Sequence, residues 1–180
     1  MFNELANDAK PHISDGDMAI ISQKIDFLGV NYYTRIHYKN TPDHWFSEVS
    51  LENVATTDMG WEIYPQGLCE LLLSLNDRYT LPKVYITENG AAMADILING
   101  KVDDIQRVNY YHTHLNAVHN AVEQGVNVQG YFAWSLMDNF EWAYGYEKRF
   151  GLVYVDYQTQ QRTLKQSAIS YRDFLKQRQK

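Results

Sequence analysis

The stretch Val84-Tyr85-Ile86-Thr87-Glu88-Asn89-Gly90 (VYITENG) puts a single carboxylate at the end of an apolar, β-branched run. Glutamate is a poor strand residue, and an Asn-Gly pair, the usual mark of a chain reversal, follows it at once. Strand ends that feed loops are where barrel and open-sheet α/β enzymes keep their reactive groups. The plainer reading of Glu88 is a solvated strand terminus capping a turn. The rest of the chain has to separate the two.

Outward from this strand the pattern alternates. Upstream, Pro65 suits the first turn of a helix, and Leu68, Leu71, Leu72 and Leu75 repeat at helical spacing up to Tyr79-Thr80. Before that helix lies a long polar and aromatic loop, and before the loop IDFLGVNYYT (residues 25–34) reads as a buried strand. Ser14-Asp15-Gly16-Asp17 is a helix-cap signal for a short helix to about Lys24. Downstream, a loop from Glu88 to Asp103 leads to a helix over about 104–123. Val108, Leu115, Val118 and Val122 form its apolar side, and Gly125 closes it. VQGYFAW (128–134) is a third strand, FGLVYVD (150–156) part of a short hairpin, and Leu164 to Arg178 a terminal helix. Strand–helix alternation indicates βα units and a parallel sheet. Three strands are too few for that architecture, since a complete (β/α)₈ barrel takes about 250 residues. The expectation is therefore α/β, part of a barrel.

Composition narrows the function. The 180 residues are 45% hydrophobic and carry a net charge of −6, with no basic cluster that would suit nucleic acid. No apolar run approaches the roughly 20 residues of a membrane span. The amino terminus, Met1-Phe2-Asn3-Glu4, is acidic and lacks an apolar signal core. Cys69 is the single cysteine, sits in an apolar helical pattern and reads as a buried thiol in a reducing compartment, which favours a cytoplasmic location. His112, His114 and His119 lack metal-ligand spacing, so no metal and no cofactor is expected. Met59, Met93 and Met137 read as gap-fillers, and Lys165, Lys176, Arg178 and Lys180 as a solvated face.

In a parallel sheet the carboxyl ends of the strands share one rim. The first strand brings Asn31, Tyr32 and Tyr33 there, the second Glu88 and Asn89, and the third Trp134, then Asp138, Asn139, Glu141 and Trp142. A carboxylate, a phenol able to donate to it, amides and indole faces are what a sugar site needs.

The stretches DFLGVNYYTR, TDMGWEIYPQGL, VYITENGAA, GYFAWSLMDNFEWAYGYEKRFGLVYVDYQTQQRT and KQSAISYRDFL span Asp26 to Leu175. Together they resemble the carboxyl-terminal part of a family 1 glycoside hydrolase, the β-glucosidase family. The resemblance implies a (β/α)₈ barrel whose sixth, seventh and eighth strands are present, with residues 1–180 a single segment incomplete on its own. It implies that Glu88 is the catalytic nucleophile and that Tyr33 hydrogen-bonds it. It further implies that Asn31 supports the sugar-binding rim and that Trp134 floors the sugar subsite. Glu141 and Trp142 would take the outer hydroxyls, Trp61 would flank the aglycone, and Phe150 would line the pocket.

One departure matters. The family's general acid/base lies in a T-x-N-E-P motif that is absent here, because Asn3-Glu4 is followed by Leu5. Retaining hydrolysis needs two carboxyl groups about 5–5.5 Å apart, and the motifs supply one. Two functions follow. One is hydrolysis of β-glycosides such as β-glucosides within a complete barrel, with the chain alone weakly active or inactive. The other is a non-catalytic sugar-binding or structural half-barrel that self-associates to cover its sheet edges. A third branch, 6-phospho-β-glycosides, is disfavoured because Glu141 would repel a phosphate dianion.

Overall fold

The computed structural model describes residues 12–42 and 45–177. Met1 to Glu4, with the Asn3-Glu4 pair, and Arg178 and Lys180 lie outside the described residues. A short helix α1 (Asp17–Ile21) precedes β1 (Phe27–Asn31), and the following loop holds β2 (Tyr38–Lys39) and β3 (Ser47–Glu48). Then come α2 (Pro65–Arg78), β4 (Lys83–Asn89), α3 (Ile105–Glu123), β5 (Val128–Ala133), β6 (Val153–Val155), β7 (Arg162–Leu164) and α4 (Gln166–Gln177). β1, β4 and β5 form one parallel sheet in the order β1-β4-β5. β6 and β7 form the expected hairpin, and β2 and β3 pair antiparallel within what reads in sequence as loop.

One face of the sheet is buried under α2 and α3. Val30, Val84 and Ile86 meet Leu68, Cys69 and Leu72 of α2 and Ala117, Val118 and Ala121 of α3. Leu71, expected in the stripe of α2, is partly exposed, and so is Val122 of α3. Val118 and Leu115 do pack inward as expected, but the buried face of α3 is wider and also carries Arg107, Tyr110, Tyr111 and His114, which a search for apolar periodicity leaves out. A second core joins Tyr110, Tyr111, Met93 and Leu152 to Tyr171 of α4.

The opposite face carries Phe27, Tyr85 and Phe132, with Phe27 54% and Phe132 58% exposed. The Phe27 and Tyr85 rings meet edge to face at 5.5 Å. Among the described residues, β1 and β5 each pair on one side only. In a closed barrel that face is the interior and those edges are joined to further strands.

β4 holds one residue more than its neighbours. Val30 pairs with Ile86 but Asn31 with Glu88, and Tyr131 pairs with Ile86 while Ala133 pairs with Asn89. An extra residue shifts the phase of the pleat and re-aims the side chains beyond it. Val84 and Ile86 point to the helices, and by simple alternation Glu88 would join them. The bulge sends Glu88 to the open rim and buries Asn89 completely.

Candidate active site

Seven of the eight residues singled out in the sequence line one cavity of about 460 Å³ at the carboxyl ends of the sheet strands. They are Tyr33, Trp61, Glu88, Trp134, Glu141, Trp142 and Phe150. Asn31 does not line it. Its Oδ1 accepts a hydrogen bond of 2.6 Å from the hydroxyl of Thr87, which does not line the cavity either. Met59, Ala143 and Tyr144 complete the walls. Met59 reads in sequence as a gap-filler, and Ala143 and Tyr144 are passed over there, since an alanine carries no chemical signal and Tyr144 is one tyrosine among 14.

The Tyr33 hydroxyl donates to Glu88 Oε2 at 2.8 Å. Burial, then the Glu88 carboxylate as hydrogen-bond partner and negative charge, push the phenol far above its ordinary range, so it remains a donor at any working pH. Trp61 and Phe150 hold the Tyr33 ring from two sides, with ring centres 5.5 and 6.1 Å away. Glu141 faces the same cavity from the loop after β5. Burial and the charge of Glu88 raise its pKa. Two carboxylates thus share the site.

Backbone bonds set the frame. The Tyr32 N–H donates to the Glu88 carbonyl and the Trp134 N–H to the Asn89 carbonyl, both at 2.9 Å. Gly90 forms no reversal here. β4 runs on through Asn89, and a Cβ at Gly90 would lie 1.8 Å from the Trp134 carbonyl oxygen. The glycine is required by close approach of the next strand's end rather than by a turn.

Behind the site lies a buried ion cluster. Lys165 Nζ donates to Asp95 Oδ2 at 2.6 Å and Asp138 Oδ1 at 2.7 Å. Arg107 pairs with Asp95 and Asp104, and Arg149 with Asp138. Lys165 has 0% exposure, which corrects its reading as part of a solvated face. Asp138 also accepts from the Gly151 and Val155 N–H groups, so the loop bearing Glu141, Trp142 and Phe150 is pinned at both ends. Among the described residues no group of three or more His, Cys, Asp or Glu is placed to hold a metal ion, and no helix is long and apolar enough to cross a membrane.

The family description Glycosyl hydrolase family 1 matches residues 1–180. The chain belongs to glycosyl hydrolase family 1. Within this family it is 45% identical over 175 residues to beta-glucosidase A of Thermotoga maritima, covering 96% of this chain and 39% of that protein. It is 47% identical over 173 residues to a beta-glucosidase of Agrobacterium sp., covering 93% and 38%. A 6-phospho-beta-galactosidase of Clostridium acetobutylicum is 40% identical over 190 residues, covering 92% and 40%. The solved family 1 β-glucosidase from Thermotoga maritima superposes with a TM-score of 0.91 at 45% identity, over 97% of this chain and 40% of that one. The chain spans about two-fifths of the length of the curated relatives it matches. Its fold is the corresponding part of the family 1 (β/α)₈ barrel, the last three strands with their helices.

Proposed function

We propose that this chain is a single barrel segment that supplies the nucleophile side of a retaining β-glycosidase acting on β-glucosides or related β-glycosides. The observation that carries the reading is the Tyr33–Glu88 hydrogen bond inside an aromatic-walled cavity. With Tyr33 holding Oε2, Glu88 Oε1 attacks the anomeric carbon. A bond forms from that oxygen to C1 as the bond from C1 to the aglycone oxygen breaks. Water then cleaves the glycosyl ester and releases the sugar with retained configuration.

Protonating a poor leaving group needs a second carboxyl group about 5–5.5 Å from Glu88 on the aglycone side. Glu141 is taken up by the sugar's outer hydroxyls and the family's acid/base motif is absent from the sequence, so that group is to be supplied by strands beyond the three present. The open edges of β1 and β5 and the exposed Phe27 and Phe132 fit the same need for barrel completion. Trp134 supports the sugar ring, Trp142 and Glu141 take outer hydroxyls, Trp61 flanks the aglycone, and Asn31 supports the rim from outside the cavity. A Glu141 carboxylate in the sugar site disfavours a phosphorylated sugar, which separates this reading from that of a 6-phospho-glycosidase. No cofactor enters these steps. The buried free thiol of Cys69 agrees with a cytoplasmic setting.

Combining the chain with the amino-terminal barrel segment of a close relative tests the reading. Hydrolysis of an aryl β-glucoside should appear only in the mixture, and Glu88→Ala should lower it by at least about 10⁴-fold. Undiminished turnover by the Glu88→Ala mixture would overturn it.

A further inference from the structure

The nucleophile is followed by a side chain that never reaches the cavity. Asn89 is fully buried, and both polar atoms of its side chain are bonded to the frame around Glu88. Its Nδ2 donates to the Tyr32 carbonyl at 2.6 Å and to the Tyr110 hydroxyl at 2.9 Å, while its Oδ1 accepts from the Tyr131 hydroxyl. One amide therefore ties the end of β4 to β1, to β5 and to α3.

The bond to Tyr32 closes a ring. The Tyr32 carbonyl belongs to the peptide that leads into Tyr33, and the Tyr33 hydroxyl returns to Glu88. Glu88 and Asn89 are adjacent in the chain, so nucleophile, amide, peptide and phenol form one loop of covalent and hydrogen bonds. The ring sits just beyond the extra residue of β4, where the pleat has changed phase and the regular ladder is interrupted.

We propose that Asn89, clamped by Tyr110 and Tyr131, is a positioning residue that holds Glu88 and Tyr33 in register for attack. The inference rests on Glu88 being the nucleophile. Burial keeps both tyrosines protonated, so the Tyr131 hydroxyl remains a donor to the amide. Asn89 touches no substrate, and its loss acts through the bond from Tyr33 to Glu88.

The test is a double-mutant cycle in the complete barrel, either the chain with its complementing segment or the full-length protein that contains it. The rate of covalent labelling by a dinitrophenyl 2-fluoro-β-glucoside and the affinity for a neutral sugar-shaped inhibitor are measured for Asn89→Ala, Tyr33→Phe and the double variant. Displacing a reacting group by about 1 Å costs on the order of 10²-fold. Asn89→Ala should therefore slow labelling about 10- to 100-fold while inhibitor affinity changes less than about threefold. The double variant should label no more than about threefold slower than the slower single variant. Penalties that multiply would overturn the inference, and so would a loss of affinity equal to the loss of rate. If Asn89→Ala does not fold, Tyr131→Phe keeps the bonds to Tyr32 and Tyr110, and the same non-additivity with Tyr33→Phe is required of it. Persistent turnover in Glu88→Ala would instead reject the nucleophile reading, whatever the outcome of the cycle.

Discussion

At the scale of single residues, two neighbours of Glu88 have duties that their residue types do not announce. Gly90 is where β4 and the end of β5 nearly touch, and no side chain fits the 1.8 Å between a Cβ and the Trp134 carbonyl. Because the obstacle is backbone, it cannot rotate away. Gly90→Ala should cost about 1–3 kcal/mol in denaturant unfolding and displace Trp134 from the cavity wall. A variant as stable as the parent, with unchanged labelling of Glu88, would contradict the close approach. The position of Glu88 at a strand end and the convergence of Tyr33, Trp134 and Glu141 were legible in the sequence. The meaning of Asn89-Gly90 was not. Both residues favour turns, and the bulge that turns Asn89 inward leaves no compositional mark, being a matter of pairing register between strands distant in sequence.

At the scale of elements, α3 buries ionisable side chains on its inner face, and two of them give measurable consequences. Lys165, immediately before α4, joins Arg107 of α3 in the ion cluster, where three cations (Arg107, Arg149, Lys165) meet three carboxylates (Asp95, Asp104, Asp138). Removing one partner from such a cluster leaves an uncompensated buried charge. Lys165→Met should destabilise the protein by about 3–5 kcal/mol in urea unfolding, and a loss below about 1 kcal/mol would show the cluster to be solvated. His114 is the second residue. Its ring stacks on Tyr110 at 3.8 Å, Nδ1–H donates to the Tyr110 carbonyl, and Nε2 is buried without a partner. Burial lowers its pKa to about 4. The unfolded chain therefore binds this proton first as pH falls from about 6.5, and stability drops until about pH 4, a loss of about 3 kcal/mol. His114→Leu should flatten the stability profile across that window, and an unchanged slope would assign it to other groups. The strands and helices themselves were legible from periodicity to within a few residues. The ion cluster was not, since its members lie up to 70 residues apart, Lys165 reads as surface charge, and Asp138 reads as a rim residue rather than a buried ion partner.

At the scale of the whole molecule, the proposed nucleophile side of the reaction sits on a three-stranded part of a barrel. Among the described residues, the walls around Glu88 are formed, while one face of the sheet is exposed and both of its edges are unpaired. The partial barrel was legible from the count of βα units against length, and the two-fifths coverage of its relatives agrees. The small β2–β3 pairing was not, because two-residue strands have no periodicity to read. The central claim is that Glu88 is the nucleophile in a site that the missing strands complete. The most direct test incubates the chain, with and without a complementing amino-terminal segment, with a dinitrophenyl 2-fluoro-β-glucoside and maps the adduct by mass spectrometry. Such a leaving group departs without an acid, and the fluorine stalls hydrolysis of the ester. The account predicts one adduct, on Glu88, formed rapidly with the complementing segment and slowly at best without it. An adduct on any other residue, or brisk cellobiose hydrolysis by the chain alone, would contradict it.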